Sequence, residues 1–186
     1  MTTADLPRPE VPGPVAVVRD FVNTTDLETG SDELTTAADL TRYLVREGLL
    51  AGSARASSAD LDLARRLRAG LRAALEQNHD GGTGKVAGLA PALHELAIGL
   101  DWSEDRPMLR PTAPGVRGAL ARIGLAVQEA ADGGLWWRLK ICSSDECAWA
   151  YYDHSKNRSR SWCEYGCGNK IKTRAYRARQ RAASTR

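Results

Sequence analysis

No stretch of the sequence approaches the roughly 18 consecutive apolar residues of a membrane-spanning helix. The N-terminal MTTADLPRPEVPGP has neither the basic start nor the apolar run of a secretory signal. No membrane partner and a cytoplasmic location are therefore expected. Cysteine is absent before position 142 and after 167, and no acid follows Lys170. The three histidines stand far apart, and no nucleophile–base pattern is present, so no enzyme is expected. Gly81-Gly82-Thr83-Gly84-Lys85 is not a phosphate loop: His79 stands where its first glycine is needed and Val86 where Ser or Thr is needed. No internal repeat is visible.

The 186 residues suffice for a sizeable core, as one domain or a main domain with a small module. With 42% hydrophobic and 26% charged residues, the composition is that of a globular protein. The net charge of +3 hides a division. Residues 1–134 carry 14 Lys/Arg and 19 Asp/Glu, whereas 135–186 carry 12 and 4. An acidic body with a basic end suggests a polyanion partner.

Residues 1–14 hold four of the eight prolines and read as a flexible lead-in. Val15–Val18 is a short apolar run that periodicity cannot assign to helix or strand. Residues 24–35 read as a loop. Thr36 can cap a helix that stops at Gly48. Ser57 or Ser58 can cap the next, where Leu61, Ala64, Leu67, Leu71 and Ala74 share one face and Asp62, Arg65, Arg68 and Arg72 lie mostly on others. Val86, Leu89, Leu93 and Leu96 are helix-spaced, with Pro91 beginning or kinking the helix. Ile98, Leu100 and Trp102, a turn at 103–106 and Met108-Leu109 predict a β-hairpin. Val116, Leu120, Ile123 and Val127 predict a last helix of this region.

The cysteines form Cys142-x4-Cys147, a gap of 15 residues and Cys163-x3-Cys167. Four thiols within 26 residues of a chain expected in a reducing compartment point to one structural zinc. Strand-forming Trp149–Tyr152 and turn residues 153–157 predict a hairpin between the cysteine pairs. Gly168-Asn169 predicts entry into a helix at about Lys170. Knuckle, hairpin, knuckle, helix is the order of a treble clef. On that helix Lys170, Arg174, Arg177 and Arg181 form one stripe, beside a small apolar stripe of Ile171, Ala175 and Ala178. Lys172 and Arg179 bring the helix to six cations over twelve positions, and Asn169 precedes them. Arg158 and Arg160 extend the basic surface from the hairpin turn. Trp136, Trp137 and Leu139 are expected to pack this module against the body.

These residues resemble the zinc finger named for its Cys-Gly-Asn-Arg motif. The likeness rests on both cysteine pairs, Tyr152-Asp153-x-Ser155, Asn157-Arg158-Ser159-Arg160, Trp162 and Cys167-Gly168-Asn169-Lys170. It extends over Lys172 and Ala175–Arg179. Lys170 replaces the final Arg, keeping charge without the guanidinium fork. The N-terminal region resembles the ABATE domain through Asp20-Phe21-Val22-Asn23-Thr24 and its helix order. The resemblance implies a stress-induced transcription regulator with an α+β N-terminal domain and a DNA-binding finger.

The expected fold is thus α+β. A mostly helical domain with a small hairpin spans 15–134 and serves regulation or oligomerisation. A treble-clef-like zinc finger spans 135–186. The expected partners are double-stranded DNA, a second copy of the chain to read two half-sites, and an unknown small-molecule effector. Arg174 and Arg177 are candidates for guanine contacts. RNA binding, with Tyr151, Tyr152 and Trp162 stacking on bases, and a protein-interaction module remain alternatives. Asp20 and Asn23 are the polar pair of the first domain. Asn23 caps a turn or helix through its side chain, or the pair lines a ligand pocket.

Overall fold

The computed structural model describes residues 10–102, 105–164 and 166–184. Most of the expected lead-in, and Ser103 and Glu104 of the hairpin turn, therefore lie outside the described residues. Helix α1 (Gly13–Val22) takes in the last two lead-in residues, with Pro14 in its first turn, where a missing N–H costs nothing. The ambiguous run Val15–Val18 is thus helical and supplies buried Val15 and Val18.

The loop that follows closes on a minimal antiparallel pair, β1 (Thr25–Asp26) and β2 (Ser31–Asp32). Helices α2 (Ala37–Arg46) and α3 (Ser58–Asp80) each begin with a capping box, Thr36 with Asp39 and Ser57 with Asp60. The long α3 ends at Gly81, whose φ of +69° is a glycine conformation. Helix α4 (Leu89–His94) is shorter than its pattern implied and holds Pro91 in its first turn. It crosses α3 closely: a Cβ at Gly70 would lie 2.8 Å from the Leu89 Cα. The predicted hairpin is β3 (Ile98–Asp101) with β4 (Met108–Pro111), paired Leu100 to Leu109. Helix α5 (Gly115–Asp132) completes the body.

A single 3₁₀ turn, Trp136–Arg138, leads into β5 (Leu139–Ile141), which pairs antiparallel with β6 (Ala150–Tyr152). Helix α6 (Cys167–Ser184) ends the described chain. The hairpin therefore differs from the expected one. Its strands flank the first cysteine pair instead of lying between the two pairs.

All six residues of β5 and β6 are buried, and alternation explains how. Leu139, Ile141, Ala150 and Tyr152 join the main core with α1, α2, α3 and α5. Tyr151 packs on the other side, among the four cysteines. One hairpin is thus a wall shared by the helical body and the metal-binding end. The core runs without a break across the 134/135 boundary drawn from sequence.

Candidate metal centre and basic helix

Cys142 directly follows β5, and Cys147 sits in the tight turn before β6, its N–H donating to the Ser144 carbonyl at 2.9 Å. Cys163 lies in the following loop, and Cys167 is the first residue of α6. Gly166, at φ +81°, makes the sharp entry to that helix, three residues earlier than expected. All four cysteines are buried and free of disulfides. Their sulfurs all lie within 4.8 Å of one another. Cys147 and Cys163 are 3.7 Å apart, and Cys163 and Cys167 3.6 Å. Bonds of about 2.3 Å to a central zinc imply tetrahedral edges of about 3.8 Å, so the donor set fits one ion. Burial pushes the Cys147 thiol up to about 11, a cost that a bound dication reverses. The four-thiolate set is that of a closed structural zinc site, with each knuckle supplying two ligands.

The segment between the cysteine pairs is ordered by side chains and forms no strand ladder after Tyr152 among the described residues. Asp153 is fully buried. Its Oδ1 accepts from the Ser155 N–H at 2.9 Å and the Ser155 hydroxyl at 2.6 Å. Its Oδ2 accepts from Lys140 Nζ at 2.9 Å and the Arg160 N–H at 3.0 Å. Burial opposes the charged carboxylate, but these donors prevail and hold Asp153 below the ordinary range. Lys140 also donates to the Arg158 carbonyl, and Arg138 donates to the Asp153 and Ser155 carbonyls at 2.9 and 2.8 Å. A carboxylate at this point offers more acceptors than a hairpin turn needs, which is why residues 153–160 wrap around it.

Arg160 points inward. Its Nε donates to the Trp162 carbonyl at 2.7 Å, and its guanidinium lies 5.9 Å from the Tyr151 ring centre. Arg158 is exposed, at a left-handed φ of +52°. Asn169, Lys170, Lys172, Arg174 and Arg177 are all exposed on α6. Two of them meet acids of the same chain. Lys170 Nζ lies 3.3 Å from Glu28, and Arg174 Nη1 lies 3.0 Å from Glu146. Both cations titrate above their ordinary values because of these partners. Each pair is more than half exposed and adds little stability. The side chains of Arg179 and Arg181, and of Ile171, Ala175 and Ala178, lie outside the described residues. Tyr151 and Tyr152 are buried and unavailable for base stacking, and Trp162 packs against the cysteines.

Asn23 has a role that sequence did not reveal. Its Nδ2 donates to the Ala150 carbonyl at 2.9 Å, and its Oδ1 accepts from the Ala150 N–H at 2.8 Å. The side chain thus acts as a strand partner for β6 across 127 positions and does not cap a helix. Asp20 pairs with its neighbour Arg19 at 2.7 Å. Asp20 and Asn23 do line a polar cavity of about 350 Å³ with Arg19, Trp149 and Glu164.

Helix α3 supplies further ties. Arg72 donates to carbonyls of Ala148, Val22 and Thr25, joining body and knuckle. Asn78 Nδ2 donates to the carbonyls of Trp136 and Leu139 at 2.9 and 3.1 Å. His79 Nε2 meets the Ser143 hydroxyl at 2.7 Å. Arg68, expected on an outer face, is buried: it grips Asp32 through two bonds of 2.6 and 2.7 Å and reaches Thr24 at 2.9 Å. The available signal was that Arg68, unlike Arg65, Arg66 and Arg72, has no acid three or four positions away on α3. Leu139 is fully buried and Trp136 partly so, but Trp137 is about half exposed.

Two family models match the chain. One, described as the CGNR zinc finger, covers residues 138–180. The other, ABATE, described as "Putative stress-induced transcription regulator", covers residues 16–139. No curated protein matches it.

Proposed function

This chain belongs to the ABATE family and carries a CGNR zinc finger, and from that premise we propose that it regulates transcription by binding duplex DNA through α6. The observation that carries the reading is the set of exposed cations on α6, Lys170, Arg174 and Arg177 along one face with Lys172 on another, on a helix whose first residue is a metal ligand. Zinc would be bound by Cys142, Cys147, Cys163 and Cys167, and it supplies rigidity without an open coordination position. In this reading the protein is not an enzyme. Cys167 fixes the start of α6, so the cations project from a defined frame. Phosphates then compete with Glu28 and Glu146 for Lys170 and Arg174. Those surface pairs are weak enough to exchange.

Arg174 and Arg177 would contact guanines, since the guanidinium fork matches O6 and N7. One helix reads few base pairs, so the operator would be read by two copies, in the cytoplasm at the nucleoid. Arg158 adds a phosphate contact, whereas Arg160 acts by holding the loop. RNA stacking has no support from Tyr151 or Tyr152, both of which are buried.

The test is fluorescence anisotropy of the zinc-loaded chain on duplex DNA at several salt concentrations. About five phosphate contacts give a log–log slope of about −4 to −5. The Arg174→Ala, Arg177→Ala double variant should lose most of the affinity and flatten the slope. A salt-independent or absent interaction, with one zinc per chain, would refute the reading.

A further inference from the structure

The Gly-rich loop that fails as a phosphate loop roofs the roomiest of the described cavities. This cavity has a volume of about 570 Å³ and lies between α3, the 82–87 segment, α4 and the 3₁₀ turn. That volume falls in the range of roughly 300–1,000 Å³ typical of small-ligand sites. Val86, Leu89 and Leu93 give it an apolar wall, and Trp136 and Trp137 line its side. Trp137 leaves about half of its surface, 49%, in solvent, an exposure that a stacked ligand would remove. Among the described residues lining the cavity, Lys85 is the one cation, and no Asp or Glu is present. Glycines at φ +69°, +127° and +79° (Gly81, Gly84 and Gly88) let this backbone arch over the space.

We propose that this cavity binds a small, planar, largely apolar carboxylic acid, its rings against Trp136 and Trp137 and its carboxylate toward Lys85. Two indoles select flat rings, and one unopposed ammonium in an acid-free rim selects a single negative charge. The site also reaches the metal-binding end. Asn78, which lines the cavity, holds the carbonyls of Trp136 and Leu139. Leu139 begins β5, and Cys142 follows its end. A ligand that shifts the indoles therefore acts on the wall from which the finger is built. Binding stands on the cavity alone; its regulatory consequence rests on the DNA-binding reading.

The experiment titrates 2-naphthoate and the uncharged 2-naphthamide into the full zinc-loaded chain by calorimetry and tryptophan fluorescence. Saturable binding of one naphthoate per chain is expected, about fivefold tighter than the amide. Lys85→Ala should erase that preference and leave amide binding unchanged. Ala90→Trp, which fills the cavity from α4, should abolish both, with circular dichroism and zinc content as fold controls. No saturable binding up to about 1 mM, or binding that survives Ala90→Trp, would overturn the proposal. Anisotropy on DNA with and without naphthoate separates the two readings. Naphthoate binding with no DNA binding under any condition refutes the DNA reading alone. Both interactions intact but uncoupled refutes the regulatory link.

Discussion

Asn23→Ala tests whether body and finger form one structural unit. The substitution leaves the buried Ala150 N–H and carbonyl without the partners that now lie at 2.8 and 2.9 Å. An unsatisfied buried backbone group costs about 1–3 kcal/mol, so the dry limit for two is about 2–6 kcal/mol. The polar cavity beside Asn23 brings water to the vacated space, which favours the low end. A loss of about 2 kcal/mol is expected. With a urea dependence of about 2 kcal/mol per molar, the midpoint falls by about 1 M. Helix content by circular dichroism and zinc release to a chromogenic chelator should both report that shift, because β6 belongs to the core of the body as well as to the metal site. The surface control Asp20→Ala should move either midpoint by less than about 0.3 M. Zinc release shifting alone would mean that the finger folds independently, and an unchanged midpoint by both probes would mean that water replaces Asn23 without cost. Either result refutes the reasoning.

Zinc removal by a strong chelator should lower the melting temperature of the whole chain by about 10 °C or more, since metal binding is coupled to the shared hairpin; scanning calorimetry checks this, and an unmoved main transition would contradict it. Asp153→Asn should cost about 3–5 kcal/mol in urea unfolding, because Lys140 keeps its buried charge and loses its counter-ion; a loss below about 1 kcal/mol would be inconsistent with that pair holding the loop. Arg68 holds Asp32 below its ordinary carboxyl value of 3.8. A carboxyl lowered by folding stabilises above its unfolded value, and that contribution fades as pH falls through its folded value. The gap in stability between the natural chain and Asp32→Asn should therefore be full near neutrality and shrink below about pH 4, as urea titrations at stepped pH would reveal. Glu146→Gln frees Arg174 and should tighten DNA binding by up to about threefold at low salt, with the gain vanishing at high salt; weaker binding would place Glu146 on the favourable side of the interface.

The metal site was legible because its four ligands lie close in the chain and recur at knuckle spacing. The helices were legible for the same local reason: Thr36 and Ser57 cap through residues three positions on, and the buried face of α3 repeats at helical period. The hairpin of the finger was misassigned because strands of three residues carry almost no periodic signal. Strand propensity at 149–152 was correct, but it does not name a partner. Arg160 looked like its neighbour Arg158 in sequence, and only the Trp162 carbonyl and the Tyr151 ring turn it inward.

By itself the sequence determined whatever local spacing controls: the capped starts of α2 and α3, the four-thiolate set, the acid-free basic helix and the division of charge between the two ends. The tertiary structure alone decided what depends on groups far apart in the chain. Asn23 reaches Ala150, Arg68 reaches Asp32, Arg72 reaches Ala148, and β5 and β6 show one face to the helices and the other to the cysteines. The physical reason is that a polar side chain names the kind of partner it needs but not the partner's address. Which donor meets which acceptor is settled only when the shared core brings their backbones together.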